Sequence, residues 1–175
     1  MFLESFKEFK KLRSLTGLGM CLALGVILSF FFSVQLSQEL KLTFSFLPLA
    51  LIGMMYGPSC GFIAGAALDL ICYVIKPTGP YFPGFTLTTA LTGLVFGLFL
   101  YKGQTKLWRM AAAKVLINLL LNLLLNSLWL KLLYGSAFWA MLPTRLVKNA
   151  ALLPIEIALL WLILVPVRKY LMKNE

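Results

Sequence analysis

Residues 42–68 read LTFSFLPLALIGMMYGPSCGFIAGAAL, 27 positions without a charge, and whether this run crosses a membrane once or twice decides the fold. About 20 apolar residues make one helical crossing, so length alone leaves both arrangements open. Gly57 and Pro58 sit in the middle, where proline removes a backbone donor and ends or kinks a helix. The basic residues decide, because Lys and Arg flanking a span stay preferentially on the cytoplasmic side. A turn at 57–59 gives six spans, with both termini and the connection over 102–114 inside; 11 basic residues then lie inside against 5 outside. One kinked helix gives 8 against 8. The expected fold is therefore an all-α integral membrane protein with six transmembrane helices and cytoplasmic N and C termini. The spans fall at about 14–37, 42–56, 59–75, 84–101, 111–133 and 146–167, in a single domain over 1–175.

Composition points the same way. Of 175 residues, 61% are hydrophobic and 13% charged, where a soluble domain carries about a quarter charged. The net charge of +10 would suit nucleic acid only on a soluble basic face; here Lys and Arg cluster between apolar runs and report topology. A multi-pass protein of the cell membrane follows, with lipid and not nucleic acid around it. Cys21, Cys60 and Cys72 lie inside apolar runs without metal-type spacing and read as small buried hydrophobes, so no metal site is expected.

The chain has no histidine, which removes the usual general base and the imidazole of a catalytic triad. Gly57-Pro58-Ser59-Cys60-Gly61 matches G-x-S-x-G in form, but that elbow needs a strand-to-helix turn and a histidine partner. An enzyme is not expected. No G-x-x-x-x-G-K-[ST] loop occurs, so the chain carries no nucleotide cofactor and any ATP-driven work belongs to another polypeptide.

Polar residues inside the apolar spans are the candidates for function. Asn118, Asn122 and Asn126 recur at i, i+4 and i+8, and Trp129 continues their face. An unpaired amide in hydrocarbon costs several kcal/mol, so these groups face other helices or a polar cavity. The last span opens with Arg145, Lys148 and Asn149 and carries Glu156; Arg145, Asn149 and Glu156 share a face. Asp69 in the third span has Tyr73 and Lys76 as local partners, and each carboxylate is open to helix pairing or to ligand contact. All five outer basic residues, Lys41, Lys76, Lys131, Arg145 and Lys148, flank these faces, opposed by Glu39 alone. The mouth is electropositive and would steer an anionic ligand inward, with Arg145 suited to a carboxylate and Lys131 to headgroup anchoring. KPTGPYFPGF at 76–85 is rich in Pro and Gly and reads as a rigid external loop. In the first span, Gly19/Ala23 and Cys21/Gly25 form small-xxx-small pairs where a helix of this chain or a separate subunit can approach closely.

These segments together resemble the S components of energy-coupling factor (ECF) transporters, and among them the folate-specific branch. The likeness runs over nearly the whole chain: GMCLALGVILS at 19–29, FSFLPLALIGMMYGP at 44–58, PTGPYFPGFTL at 77–87, LNSLWLKLLYG at 125–135 and LPTRLVKNAALLPI at 142–155. The PTG-x-YFPGFTL and LPTR-x-x-KN strings are the specific ones. The resemblance implies a six-helix subunit that binds folate from outside, docks through Gly19 and Ala23 onto a membrane scaffold subunit, and is driven by two cytoplasmic ATPases. Folate has an anionic glutamate tail and a flat pterin with amide-like edges. On that ligand Arg145 and Lys148 would hold the tail, with Lys41 and Lys76 as electrostatic helpers. Asn122, Asn126, Asn149 and one of Asp69 or Glu156 would meet the pterin, and Phe85, Trp129 or Tyr81 would pack on its faces. A subunit for another vitamin such as thiamine, which as a cation fits a basic mouth poorly, and a structural subunit without ligand are the competing readings.

Overall fold

The computed structural model describes residue 5 and residues 12–31, 34–37, 40–42, 44–77, 81–101, 107–134 and 138–173. In chain order the elements are α1 (Leu12–Phe31), β1 (Val34–Ser37), β2 (Leu40–Leu42), α2 (Phe46–Tyr56), α3 (Pro58–Ile75), α4 (Pro83–Leu100), α5 (Leu107–Leu116), a π-helical segment (Ile117–Leu125), α6 (Asn126–Tyr134) and α7 (Phe138–Lys173). The π segment joins α5 to α6 without a break, since Leu116 and Asn126 at its ends both hold right-handed helical dihedrals. Among the described residues the fold is thus six helical rods and one short hairpin. Five rods are long and apolar enough to cross a membrane, and α2, with 11 residues, is the shorter sixth.

Gly57 is the turn that the charge count requires. Its φ of 90° belongs to a region that residues with a Cβ rarely enter. Its N–H bonds Gly53 O at 3.1 Å to close α2, and its carbonyl accepts Gly61 N–H at 3.0 Å to open α3. Pro58 stands at the first position of α3, where a missing donor costs nothing. Ser5, fully buried, braces this corner: its hydroxyl donates to Tyr56 O at 2.6 Å and accepts from Cys60 N–H at 3.2 Å.

α4 is the central rod and packs most broadly on α3 and α2. The approach is close because a Cβ on Gly61 would overlap the backbone of Gly93, and one on Gly53 that of Gly97. Helices in lipid gain little from apolar burial and associate through such van der Waals contact. Around this seam Leu49, Ile52, Phe96, Leu100, Met110, Ile117, Leu160 and Leu164 are almost wholly enclosed.

Two boundaries differ from the sequence reading. The first span ends at Phe31 and not at 37, because Val34–Ser37 pairs antiparallel with Leu40–Leu42, with Gln35 opposite Lys41. The strings VQLS and LKL alternate apolar and polar with the period of a strand, a signal that a count of uncharged residues overlooks. The last helix begins at Phe138 and not near 146, so Pro143 lies within it, in the second turn, where it removes one backbone bond. At 36 residues and 1.5 Å each, α7 is about 54 Å long and exceeds a hydrocarbon core of about 30 Å. α2, by contrast, reaches about 16 Å from 11 residues. It covers about half of that thickness.

Of the loop at 76–85, residues 78–80 lie outside the described set. Phe82 is extended at φ −130° and ψ 118°, as the residue before a proline is biased to be, and Pro83 starts α4.

Candidate functional site

Lys114 is 2% exposed, which corrects its assignment to the cytoplasmic connection. The residue lies inside α5, and its Nζ is 3.2 Å from Glu156 Oε1 on α7 and 3.7 Å above the centre of the Phe46 ring on α2. An ammonium in an apolar bundle is tolerable only with such a carboxylate and ring face to replace water. The sequence held the signal: Lys114 sits four residues before Asn118 and so heads the amide stripe.

That stripe is a hydrogen-bonded ladder. Asn118 Nδ2 donates to Glu156 Oε2 at 3.0 Å, Asn122 Nδ2 to Asn118 Oδ1 at 2.9 Å, and Asn126 Nδ2 to Asn122 Oδ1 at 3.4 Å. The backbone explains why three amides stay in line. In an α-helix, positions eight apart drift by about 80°. The π segment over Ile117–Leu125 closes its bonds over five residues, as Asn126 N–H to Leu121 O shows, so it winds more slowly than an α-helix and opposes that drift. At the far end Asn126 Oδ1 is buried with no hydrogen-bond partner among the described residues, and so is the neighbouring Ser127 Oγ.

Three residues beyond Asn126, Trp129 carries the same face into an aromatic cluster. Its indole N–H donates to Thr88 Oγ1 at 3.2 Å, and its ring lies 5.5 Å from Phe82. Phe82 meets Phe85 edge-on at 6.0 Å. Gly84 makes room for this arrangement, since a Cβ there would run into both the Trp129 and Phe82 rings. Beside it Asp69 on α3 accepts from Thr86 at 2.7 Å and Thr89 at 3.4 Å, both on α4. Those threonines are partners of Asp69 that its local sequence neighbours did not suggest. Tyr81 bonds the Thr86 hydroxyl at 3.1 Å and packs at 5.1 Å from Tyr73. The structure thus brings together Asn122, Asn126 and Glu156 through Asn118, Trp129 and Phe85 through Phe82, and Asp69 and Tyr81 through Thr86.

Of the cations expected to meet the ligand, Lys76 alone has a described side chain. Lys76 is exposed at the end of α3. Lys41 lies on β2 and Arg145 and Lys148 on α7, and their side chains lie outside the described residues. Asn149 is half-buried, seven residues before Glu156 and therefore on its face of α7.

A separate apolar surface lies on α1. Gly17 and Gly25 turn inward against Tyr56 and Leu68, whereas a Cβ on Gly19 would meet nothing within 4 Å. Ala23 is exposed, as are Met20 (71%), Leu24 (48%) and Ile27 (52%). Leu15, Leu18, Gly19 and Leu22 form one wall of an open groove of about 250 Å³, with Cys60, Ile63, Ala64 and Ala67 of α3 as the other. Among the described residues no group of His, Cys, Asp and Glu is disposed to hold a metal.

Comparison with known proteins gives the family. The family model described as "ECF transporter, substrate-specific component" matches residues 13–164. The chain is 34% identical over 147 residues to the "Folate transporter FolT" of Clostridium novyi, covering 84% of this chain and 85% of that one. It is 33% identical over 134 residues to the protein of the same name from Leuconostoc mesenteroides, covering 73% and 72%. Among solved structures it is similar to "Crystal structure of FolT bound with folic acid", at 35% identity and a TM-score of 0.81, covering 86% of this chain and 92% of the other.

Proposed function

This chain belongs to the substrate-specific components of ECF transporters, and on that premise we propose that it captures folate outside the cell and delivers it across the membrane for an ATP-driven transporter. The carrying observation is the buried amide ladder that ends on Asn126 beside Trp129. Polar groups of this expense are kept inside a membrane protein where a ligand or a pathway uses them, and a flat aromatic ligand with hydrogen-bonding edges suits a wall of amide and indole. The relative crystallised with folic acid names the ligand. The short α2 supports the same placement, because non-helical backbone at membrane depth is tolerated where it is packed in protein or lines a cavity.

With the termini on the cytoplasmic side, as the charge distribution favours, Asn126 and Trp129 lie towards the exterior. Lys41, Lys76, Arg145 and Lys148 then gather at the mouth and attract the glutamate tail, which Arg145 and Lys148 would hold. The pterin would sit deeper, against Asn126, Asn122 and Asn149, with Trp129, Phe85 and Tyr81 on its faces. The outward α1 surface around Gly19 and Ala23 would dock onto a membrane scaffold subunit, itself driven by two cytoplasmic ATPases. ATP acts only in those partners, and this subunit carries no cofactor of its own.

The test is mass spectrometry of the small molecule that survives purification, followed by calorimetric titration of the emptied protein with folic acid. Folate in equimolar amount is the expected result; a different vitamin, or no binding, overturns the reading. Arg145→Ala is expected to weaken folate by at least about tenfold, or 1.4 kcal/mol, and unchanged affinity would remove its role. Gly19→Leu is expected to leave folate binding intact while abolishing uptake in cells that hold the full transporter.

A further inference from the structure

The amide ladder has a direction, and that direction selects which edge of a ligand it can meet. Glu156 turns one oxygen to the Lys114 ammonium at 3.2 Å and the other to the Asn118 NH₂ at 3.0 Å, so both of its oxygens face donors and serve as acceptors. Asn118 therefore presents its NH₂ to Glu156, which turns its oxygen towards Asn122. Asn122 must meet that oxygen with its own NH₂, and Asn126 must do the same to Asn122. Three amides that are free to flip in isolation are thus fixed by one acidic end. The last of them is left with an oxygen, buried and unmet among the described residues.

We propose that Asn126 Oδ1 accepts a hydrogen bond from the amino edge of the pterin, its 2-amino group or the adjacent ring N3–H, and that Glu156, Asn118 and Asn122 act as positioning residues that hold this oxygen towards the ligand. The inference rests on the folate reading and deepens it. A carboxylate brought to this point would meet an acceptor and be repelled, so the glutamate tail is excluded. A donor-bearing edge completes the hydrogen bonding of a group that is otherwise costly to bury. Trp129, one turn further on, lies where it can cover the face of a ring held by that edge.

The experiment compares folic acid with two analogues in calorimetric titration. One carries methyl in place of the 2-amino group, and the other carries methyl on N3. For the wild-type chain at least one analogue is expected to bind about tenfold more weakly or worse. Asn126→Ala is expected to weaken folic acid and to bring all three ligands within about threefold of one another. The double variant Lys114→Met/Glu156→Gln replaces the carboxylate by an amide that can donate or accept, so the ladder is free to reverse. It is expected to lose the same discrimination while keeping a cooperative thermal transition in detergent. A merely structural role for Glu156 would change that transition and leave the ligand ratios alone. Wild-type protein that binds folic acid tightly and both analogues equally well overturns the proposal, and so does full discrimination in Asn126→Ala. These arms stand even if the double variant does not fold. Wild-type protein that does not bind folic acid overturns the folate reading itself, a different outcome from equal binding of all three ligands.

Discussion

The seam between α3 and α4 and the seam between the π segment and α7 solve the same problem by opposite means. In the first, glycines bring backbones into contact: Gly61 and Gly93 leave no room for a Cβ on either side. The attraction is dispersion over a close-fitting surface, with the Thr86 and Thr89 bonds to Asp69 as supplements. In the second, a Lys114–Glu156 ion pair and a run of amides join the helices. Close backbone contact is complete in itself and offers nothing to a ligand. A hydrogen-bonded ladder has ends, and among the described residues the end at Asn126 leaves a buried oxygen without a partner. A helix bundle in lipid can use either device for cohesion, but only the second can also recognise something.

The contrast is sharpest at the ion pair. Glu156→Ala leaves the Lys114 ammonium, 2% exposed, without its carboxylate, and is expected to cost about 3–5 kcal/mol, read as a fall in thermal midpoint in detergent. Lys114→Met/Glu156→Met should restore most of that loss, since an apolar pair of similar volume replaces a buried ion pair at little cost. A double variant no more stable than the single one would mean the pair is not the cause.

Next in size, Gly61→Leu forces a side chain into the Gly93 backbone and is expected to cost about 1–3 kcal/mol or more. Here no second substitution at Gly93 can compensate, because the clash is with main chain; recovery in a double variant would contradict the close seam. Smaller again, Trp129→Phe keeps the ring against Phe82 but removes the N–H to Thr88, for a loss of about 0.6 kcal/mol with a clear drop in folate affinity. The least effect is expected from Thr89→Val: Asp69 retains the shorter Thr86 bond, so stability should fall by no more than about 0.6 kcal/mol and folate affinity should not move. If Thr89→Val disturbed binding more than Trp129→Phe did, the division of labour between the two seams would be reversed.

Much of this was legible in advance. The Gly57-Pro58 turn followed from the distribution of basic residues, and the structure gives it the positive φ that glycine permits. The amide stripe was visible as a spacing of four, with Trp129 continuing it. Lys114 was misjudged because a lysine near the end of an apolar run ordinarily belongs to the flanking connection; only its place four residues before Asn118 marked it as part of the stripe. The hairpin was hidden because a search for uncharged length does not see a period of two. Of the pairs on α1, the sequence shows that Gly19/Ala23 and Cys21/Gly25 are both narrow, but not that Gly25 faces Leu68 while Gly19 faces open space.

Solvent class, the number of crossings and the face that carries the polar groups are properties of residue order, because hydropathy, charge asymmetry and helical spacing act locally along the chain. Which partner each polar group takes is not local. The pairing of Glu156 with Lys114 and Asn118, and of Asp69 with two threonines, arises from separate helices meeting at fixed depths. Only that packing decided that the ladder would end on an oxygen.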